Sequence, residues 1–407
     1  MPTLALCGGE KTVTEPAVWP EIGLQEEEAV LEVIRSKKWF RYEGTKNEEF
    51  EKKFADYCGT KYGLTVTNGT AAIEIPLAVS GIGQGDELIV PSYTFFSTAS
   101  AVAFVGATPV FCDVDPDSYN MDLDHVETLI NDRTRAIIPV HFAGFPVDMD
   151  RLNAIAKKHK LMVIEDCAHA HGAEYNGKKV GSLSDASTFS FQASKNLSSG
   201  EGGLMLTSDD ELYQKMFTRH TCGRKIGRPW YEHHAIGSNL RLSEMQAALL
   251  LAQFERLEPQ LEQRNRNAAI IEAAIEQIPF LTRVQRHQPF STRRTYHIFM
   301  LRYNPGIEGV SRETFIEALI AEGVTSFGGY PVPLYMQPAF ESIPQPKDQG
   351  VYNKLSFPGV EQCCRESVWI THPHLLGDES RGKQVVRAIE KIVENADELR
   401  TFQKALP

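Results

Sequence analysis

The chain has 407 residues, a formal net charge of −11, and 42% hydrophobic and 23% charged residues. That length exceeds one ordinary core and predicts two domains. The acidic balance argues against a nucleic-acid or anionic-membrane partner, and no stretch approaches the roughly 20 apolar residues of a membrane span. The N-terminus lacks the basic and apolar regions of a secretory signal. Seven scattered cysteines, with no C-x-x-C pair, read as reduced thiols of a cytoplasmic protein.

Residues 21–36 predict a helix, acidic at its start and basic at its end. Trp39 to Thr45 is a loop, and Glu48 to Tyr57 a second amphipathic helix ending near Gly59. A short strand, Tyr62 to Thr67, runs into Asn68-Gly69-Thr70 and a helix from Ile73 to Val79. Such a junction is a ready anion site, because a helix N-terminus offers free N–H groups and partial positive charge. It is also what any ordinary capped turn looks like.

Strands and helices then alternate. Glu87–Val90 precedes a helix opened by Pro91–Phe96 and reaching Val105. Thr108–Asp113 precedes a helix over 122–131, Arg135–His141 one over 149–159, and Leu161–Glu165 ends at Asp166. This pattern predicts a mostly parallel sheet with helices on both faces and ligands at the carboxyl ends of its strands. Asp166, the Gly69–Thr70 turn and Phe95 all fall just past such ends. Further strands cover Ala186–Phe191 and Gly203–Thr207, with a helix over 209–220 and a charged, aromatic loop from Cys222 to His234. Ser243 and Gln246 have capping-box spacing and open a helix through Leu257, which Pro259 should break or kink. We expect the domain boundary there, giving 1–260 and 261–407. Strands over 296–302 and 366–370, and helices over 312–321 and 382–399, predict a smaller α+β domain.

Lys195 sits between two apolar strands in a bed of Ser and Gly. Burial lowers an ammonium pKa and makes the amine a nucleophile that can form a Schiff base with a carbonyl, of which pyridoxal phosphate (PLP) is the familiar biological case. Alone, a lysine in a Gly/Ser turn is more often a surface residue. Its company points elsewhere: Asp166 can hold a pyridine nitrogen protonated, and Gly69, Thr70 and Ser190 can cradle a phosphate. His169-Ala-His171, His220 and His233-His234 could suggest metal ligands, but no Cys or carboxylate spacing completes a zinc set, so no metal is expected.

Five motifs carry a resemblance: Thr67-Asn-Gly-Thr-Ala-Ala72; Pro91-Ser-Tyr-Thr-Phe95; Val163 to Gly172; Phe189 to Asn196 with Gly200-Glu-Gly-Gly203; and Gly237 to Glu244. Together they resemble the DegT/DnrJ/EryC1/StrS sugar aminotransferases, within the aspartate aminotransferase fold (fold type I). The resemblance implies an α/β large domain with a mostly parallel seven-stranded sheet, a smaller C-terminal α+β domain, and PLP as cofactor. It implies Lys195 as the catalytic lysine, Asp166 on the pyridine nitrogen, His169 near the phenolic oxygen and Phe95 stacked on the ring. Gly69, Thr70 and Ser190 would hold the phosphate, and Asn239 would reach the phosphate of the neighbouring subunit, hence a homodimer with shared active sites.

The implied reaction moves an amino group from L-glutamine or L-glutamate to a keto-cyclitol or keto-sugar. Phe191-Gln192, Arg219 to Arg224 and Ser367 to Leu376 resemble the branch that includes L-glutamine:scyllo-inosose aminotransferases and 3-amino-5-hydroxybenzoate synthase. A nucleotide-linked ketosugar, an aromatising dehydration and a non-catalytic regulator stand as alternatives. Tyr42, Tyr330 and His372 are expected in the acceptor wall. Arg241 is expected either on a substrate carboxylate or simply paired with Glu244.

Overall fold

The computed structural model describes residues 3–15 and 17–405. The central sheet is built from β1 (Tyr62–Val66), β2 (Glu87–Pro91), β3 (Thr108–Cys112), β4 (Thr134–Ile137) and β5 (Met162–Asp166). After a short ribbon, β6 (Glu174–Tyr175) and β7 (Lys178–Lys179), it adds β8 (Ala186–Ser190) and β9 (Gly203–Thr207). Its seven strands lie in the order β1-β9-β8-β5-β4-β2-β3. Strand β9 runs antiparallel to both neighbours, and the other pairings in the sheet are parallel. Both faces are covered, so these strands are almost wholly buried, Arg135 of β4 being the exposed exception.

The covering helices are α1 (Leu24–Ser36), α2 (Lys46–Cys58), α3 (Gly69–Val79), α4 (Ser97–Phe104), α5 (Leu123–Leu129), α6 (Met149–His159), α7 (Asp210–His220) and α8 (Glu244–Ile275). Local chemistry starts them. Asn68, Asp122, Asp148, Asp209 and Ser243 each cap a helix through a side-chain oxygen, and Ser243 with Gln246 forms the expected capping box. Two apolar clusters fill the layers. One centres on Phe50, Phe54, Phe189 and Phe191, the other on Val90, Tyr93, Phe111 and Phe142.

Beyond α8 come β10 (Thr282–Arg283), β11 (Ser291–Arg293), β12 (Ile298–Arg302), α9 (Arg312–Ala321), β13 (Ser326–Phe327), α10 (Pro358–Glu366), β14 (Ser367–Thr371), α11 (Glu379–Glu394) and α12 (Ala396–Lys404). A second, antiparallel sheet, β10-β12-β14-β13, packs with α9 and α11 around Phe299, Phe315, Ile370 and Ile389. Leu4 and Val13 of the N-terminal segment join this cluster. Glu322 ties them in: its buried carboxylate accepts from the N–H groups of Ala5 and Thr12 and pairs with Lys391.

Three expectations need correction. The helix after β2 begins at Ser97, not at Pro91, because the Ser92 N–H donates to Cys112 O and so extends the pairing with β3. Pro259 neither ends nor divides α8, which continues unbroken to Ile275 across the expected boundary. Pro259 is exposed, so water can satisfy the carbonyl it leaves without a partner. The helix expected over 382–399 is two, separated at Asn395.

Candidate active site

Strands β1, β2, β5 and β8 end on one cavity of about 520 Å³. Lys195, Asp166, His169, Ser190, Gly69, Thr70, Phe95 and Tyr330 all line it. Eight of the residues singled out in the sequence, drawn from a span of 262 positions (Gly69 to Tyr330), thus converge on one space.

Lys195 is held by its turn. Its N–H donates to Gln192 O (2.9 Å), the Ala193 N–H donates to Gly200 O, and Asn196 anchors the far side through Thr295 O (2.8 Å). Burial lowers the Lys195 pKa to about 8, against the opposing pull of Asp166. Asp166, at the end of β5, accepts from Thr98 Oγ1 (2.9 Å) and from the Ala168 N–H (3.1 Å). Burial raises its pKa, and these two donors, with Lys195, favour the carboxylate. Thr98 escaped the sequence reading. The signal was available, since it stands in the first turn of α4, three residues past Phe95.

His169 accepts the Ala143 N–H at Nδ1 (3.3 Å), which assigns the proton to Nε2. Its ring lies 4.3 Å from that of His297, and burial pushes both imidazoles well below their usual pKa, so both are neutral. His297 and Trp369, which also line the cavity, were not anticipated either. His297 immediately precedes β12 and Trp369 lies in β14, at the second sheet, where sequence periodicity gives no hint of contact with β5. Tyr330 packs edge-on to Trp369 at 5.1 Å.

The start of α3 faces the same cavity. Gly69 and Thr70 open α3, whose first N–H groups face the cavity end, and Thr70 Oγ1 shares a hydrogen bond with Ser97 Oγ (2.7 Å). A Cβ on Gly69 would stand 2.8 Å from Ser190 Cβ, so only glycine fits there. Phe95, at the mouth, is 58% exposed, an apolar face that a planar ring would cover. A buried reactive amine, a carboxylate held by two donors, an anion cradle and an open aromatic face fit PLP.

Four expected residues lie outside this cavity. Asn239 is exposed. Tyr42 Oη and Arg241 both bond Thr221 Oγ1 (3.0 and 3.1 Å), and Arg241 lies over the Phe40 ring. Arg241 does not pair with Glu244. That carboxylate is taken by Lys46 N (2.7 Å) and Asn47 at the start of α2. His372 is no wall residue: it is buried and donates through Nε2 to Ser194 O (3.0 Å). The histidines that could suggest metal ligands do not gather. His171 donates to Ser190 O (2.9 Å), and His220 and His233 bond backbone carbonyls. Among the described residues, His141, Glu165 and Cys167 do come close together. The Glu165 oxygens, however, already accept from Gly181, Leu183 and Ser184 and contact His141, whose Nδ1 accepts from Val147. This group holds the loops around β5.

Fold and site together define a PLP-dependent transferase of fold type I. Residues 20–390 match the DegT/DnrJ/EryC1/StrS aminotransferase family, and the chain belongs to it. It is 36% identical to an L-glutamine:2-deoxy-scyllo-inosose aminotransferase of Streptomyces fradiae over 98% of this chain and 99% of that one. It is 38% identical to a pleiotropic regulatory protein of Geobacillus stearothermophilus, covering 89% of this chain and 92% of that one. The crystal structure of 3-amino-5-hydroxybenzoic acid synthase superposes with a TM-score of 0.87 at 32% identity, covering 95% of this chain and all of that one.

Proposed function

We propose that the protein transfers an amino group from L-glutamine or L-glutamate to the ketone of a cyclitol or sugar of the scyllo-inosose type, in the cytoplasm. The observation that carries the reading is the convergence of Lys195, Asp166 and the Gly69–Thr70–Ser190 cradle on one cavity. Near-full-length similarity to a cyclitol aminotransferase supports the acceptor class.

PLP, when bound, supplies an electron sink for the carbanion formed at the donor's α-carbon. The residues of the chain do the rest. Lys195 Nζ, once free, takes the proton from the α-carbon and returns it as general base and acid. Asp166, whose carboxylate accepts from Thr98 and Ala168, would accept a hydrogen bond from the ring nitrogen and keep its proton in place. His169, neutral with Nε2 protonated, offers a donor and no charge. Gly69, Thr70 and Ser190 would anchor the phosphate, and Phe95 would cover one face of the ring. Tyr330 lines the acceptor side.

A low Lys195 pKa is directly measurable. In apoprotein, the rate of amine-selective labelling at Lys195, followed by peptide mass spectrometry, is expected to rise with pH and reach half its limit near pH 8. An unburied lysine would reach it near about 10.4. Gly69→Ala is expected to weaken PLP binding about tenfold or more by crowding Ser190, read by cofactor titration.

We further propose a homodimer with shared active sites. Asn239, Arg241 and Tyr42 lie off this chain's cavity, beside an exposed apolar surface. Tyr231 and Ile236 there are 86% and 88% exposed, and Trp230 packs on Tyr42 at 5.0 Å. So much bare aromatic surface calls for a partner. Light scattering should give twice the 45.5 kDa chain mass, and Asn239→Ala should weaken PLP binding although Asn239 touches nothing in its own chain's cavity. A monomer that retains full PLP affinity would contradict this.

The regulator reading has a specific observation in its favour, the similarity to a pleiotropic regulatory protein. It leaves the convergence of Lys195, Asp166 and the cradle without a purpose, so the enzymatic reading stands first.

A further inference from the structure

Arg264 lies on α8 beneath the lysine turn, and it is 0% exposed. A buried guanidinium ordinarily has a carboxylate on it, because an isolated charge in the interior is costly. Here Nη2 meets His372 Nδ1 at 3.2 Å, while Nε and Nη1 find no protein acceptor among the described residues. Glu21 favours the charge without bonding it. Burial brings the Arg264 pKa down to about 9, which still leaves it cationic at neutral pH.

Two donors surround this cation. A guanidinium can only donate, so Nδ1 of His372 must accept and the ring proton must sit on Nε2. Nε2–H then points at Ser194 O, at 3.0 Å. On the other side the guanidinium lies over the Trp19 ring, 5.3 Å from its centroid, and the Trp19 indole N–H donates to Ala193 O at 2.9 Å. The Trp19 and His372 rings touch edge to face at 4.6 Å. Ala193 and Ser194 are the two residues before Lys195.

We propose that Arg264 is a positioning residue for the reaction: it sets the His372 tautomer and seats the Trp19 indole, so that two N–H donors grip the consecutive carbonyls of Ala193 and Ser194 and aim Lys195 into the cavity. The grip joins three remote parts of the chain: the N-terminal segment, α8 and the turn after β14. Among the described residues Arg264 closes no ion pair that would account for its burial. A buried charge without an ionic partner marks a place where function outweighs local stability. The inference rests on Lys195 being the reactive amine.

The test is the labelling profile of Lys195 in apoprotein, compared across Arg264→Met, His372→Leu, His372→Gln and Trp19→Phe. Freeing the turn lets the ammonium reach water. Arg264→Met and His372→Leu should therefore raise the half-point from about 8 by one pH unit or more, toward the ordinary lysine value of about 10.4. Trp19→Phe should raise it less, since the Ser194 contact remains. His372→Gln can still accept from Arg264 and donate to Ser194 O, and should hold the wild-type half-point. In the loaded enzyme the first two should lower kcat with the donor KM unchanged. Arg264→Met should melt no lower than wild type, because an apolar replacement for a poorly paired buried charge is often neutral or stabilising. Should it fail to fold, the His372 pair and Trp19→Phe carry the test.

Folded His372→Leu and Trp19→Phe proteins with the wild-type half-point and kcat would overturn the proposal. A wild-type half-point near that of free lysine would instead overturn the reading of Lys195 itself.

Discussion

Lys195→Ala is expected to abolish amino transfer, with a loss of at least ~10⁴-fold in kcat, because the same amine both joins the cofactor and moves the proton. Binding of PLP should survive in part, since the Gly69–Thr70–Ser190 cradle, Asp166 and Phe95 are untouched. The variant should therefore still bind PLP, reversibly, and lose it on gel filtration. An added small primary amine should restore a measurable fraction of turnover by taking over proton transfer. Retained turnover above about a hundredth of wild type without added amine would remove Lys195 from the chemistry.

Asp166→Asn is expected to have the second largest effect. Asp166 is buried, and its carboxylate accepts from Thr98 and Ala168, donors that favour the ionised form against the opposing effect of burial. Its neutral isostere leaves the partner nitrogen without a charge to pair with. Breaking a buried charge pair costs about 3–5 kcal/mol, or roughly 10²–10³·⁵-fold. Most of this should fall on kcat, because the protonated ring nitrogen draws electrons in the transition state rather than in the bound complex. Thr98→Val should act in the same direction and more weakly, about tenfold, by removing one donor from the carboxylate. The pH dependence should agree. Asp166 must be ionised, and burial raises its pKa, so loss of Thr98 should move the acid limb of the kcat profile to higher pH. An unshifted acid limb in Thr98→Val would show that Asp166 does not set it.

Much of this architecture was legible in the residues because its signals are local. Ser243 with Gln246 predicts a helix start from a four-residue spacing, and the helix starts there. The seven strands show as short, largely buried segments alternating with helices, and strand ends locate Asp166 and the Gly69 turn. What escaped depends on contacts between distant segments. Pro259 reads as a helix breaker, yet it is tolerated on an exposed face of α8. His372, with His374 two residues on, reads as a polar site motif, yet it is consumed by Arg264 and Ser194, residues 108 and 178 positions away. Arg241 has a carboxylate three residues on, but Glu244 is already engaged at the start of α2. Tyr42, Arg241 and Asn239 belong together on one surface, which only the folded chain shows.

The central claim is that Lys195 and its surroundings carry out an amino-transfer half-reaction. The most direct measurement is the absorption spectrum of the PLP-loaded protein before and after L-glutamine or L-glutamate, alongside Lys195→Ala. The prediction is a long-wavelength band of the lysine-linked cofactor that gives way to the shorter-wavelength band of the aminated cofactor on adding donor, with one keto acid released per site. The starting band should be absent in Lys195→Ala. A wild-type protein that takes up PLP with no such band, or whose band persists in saturating donor with no keto acid formed, would contradict the account.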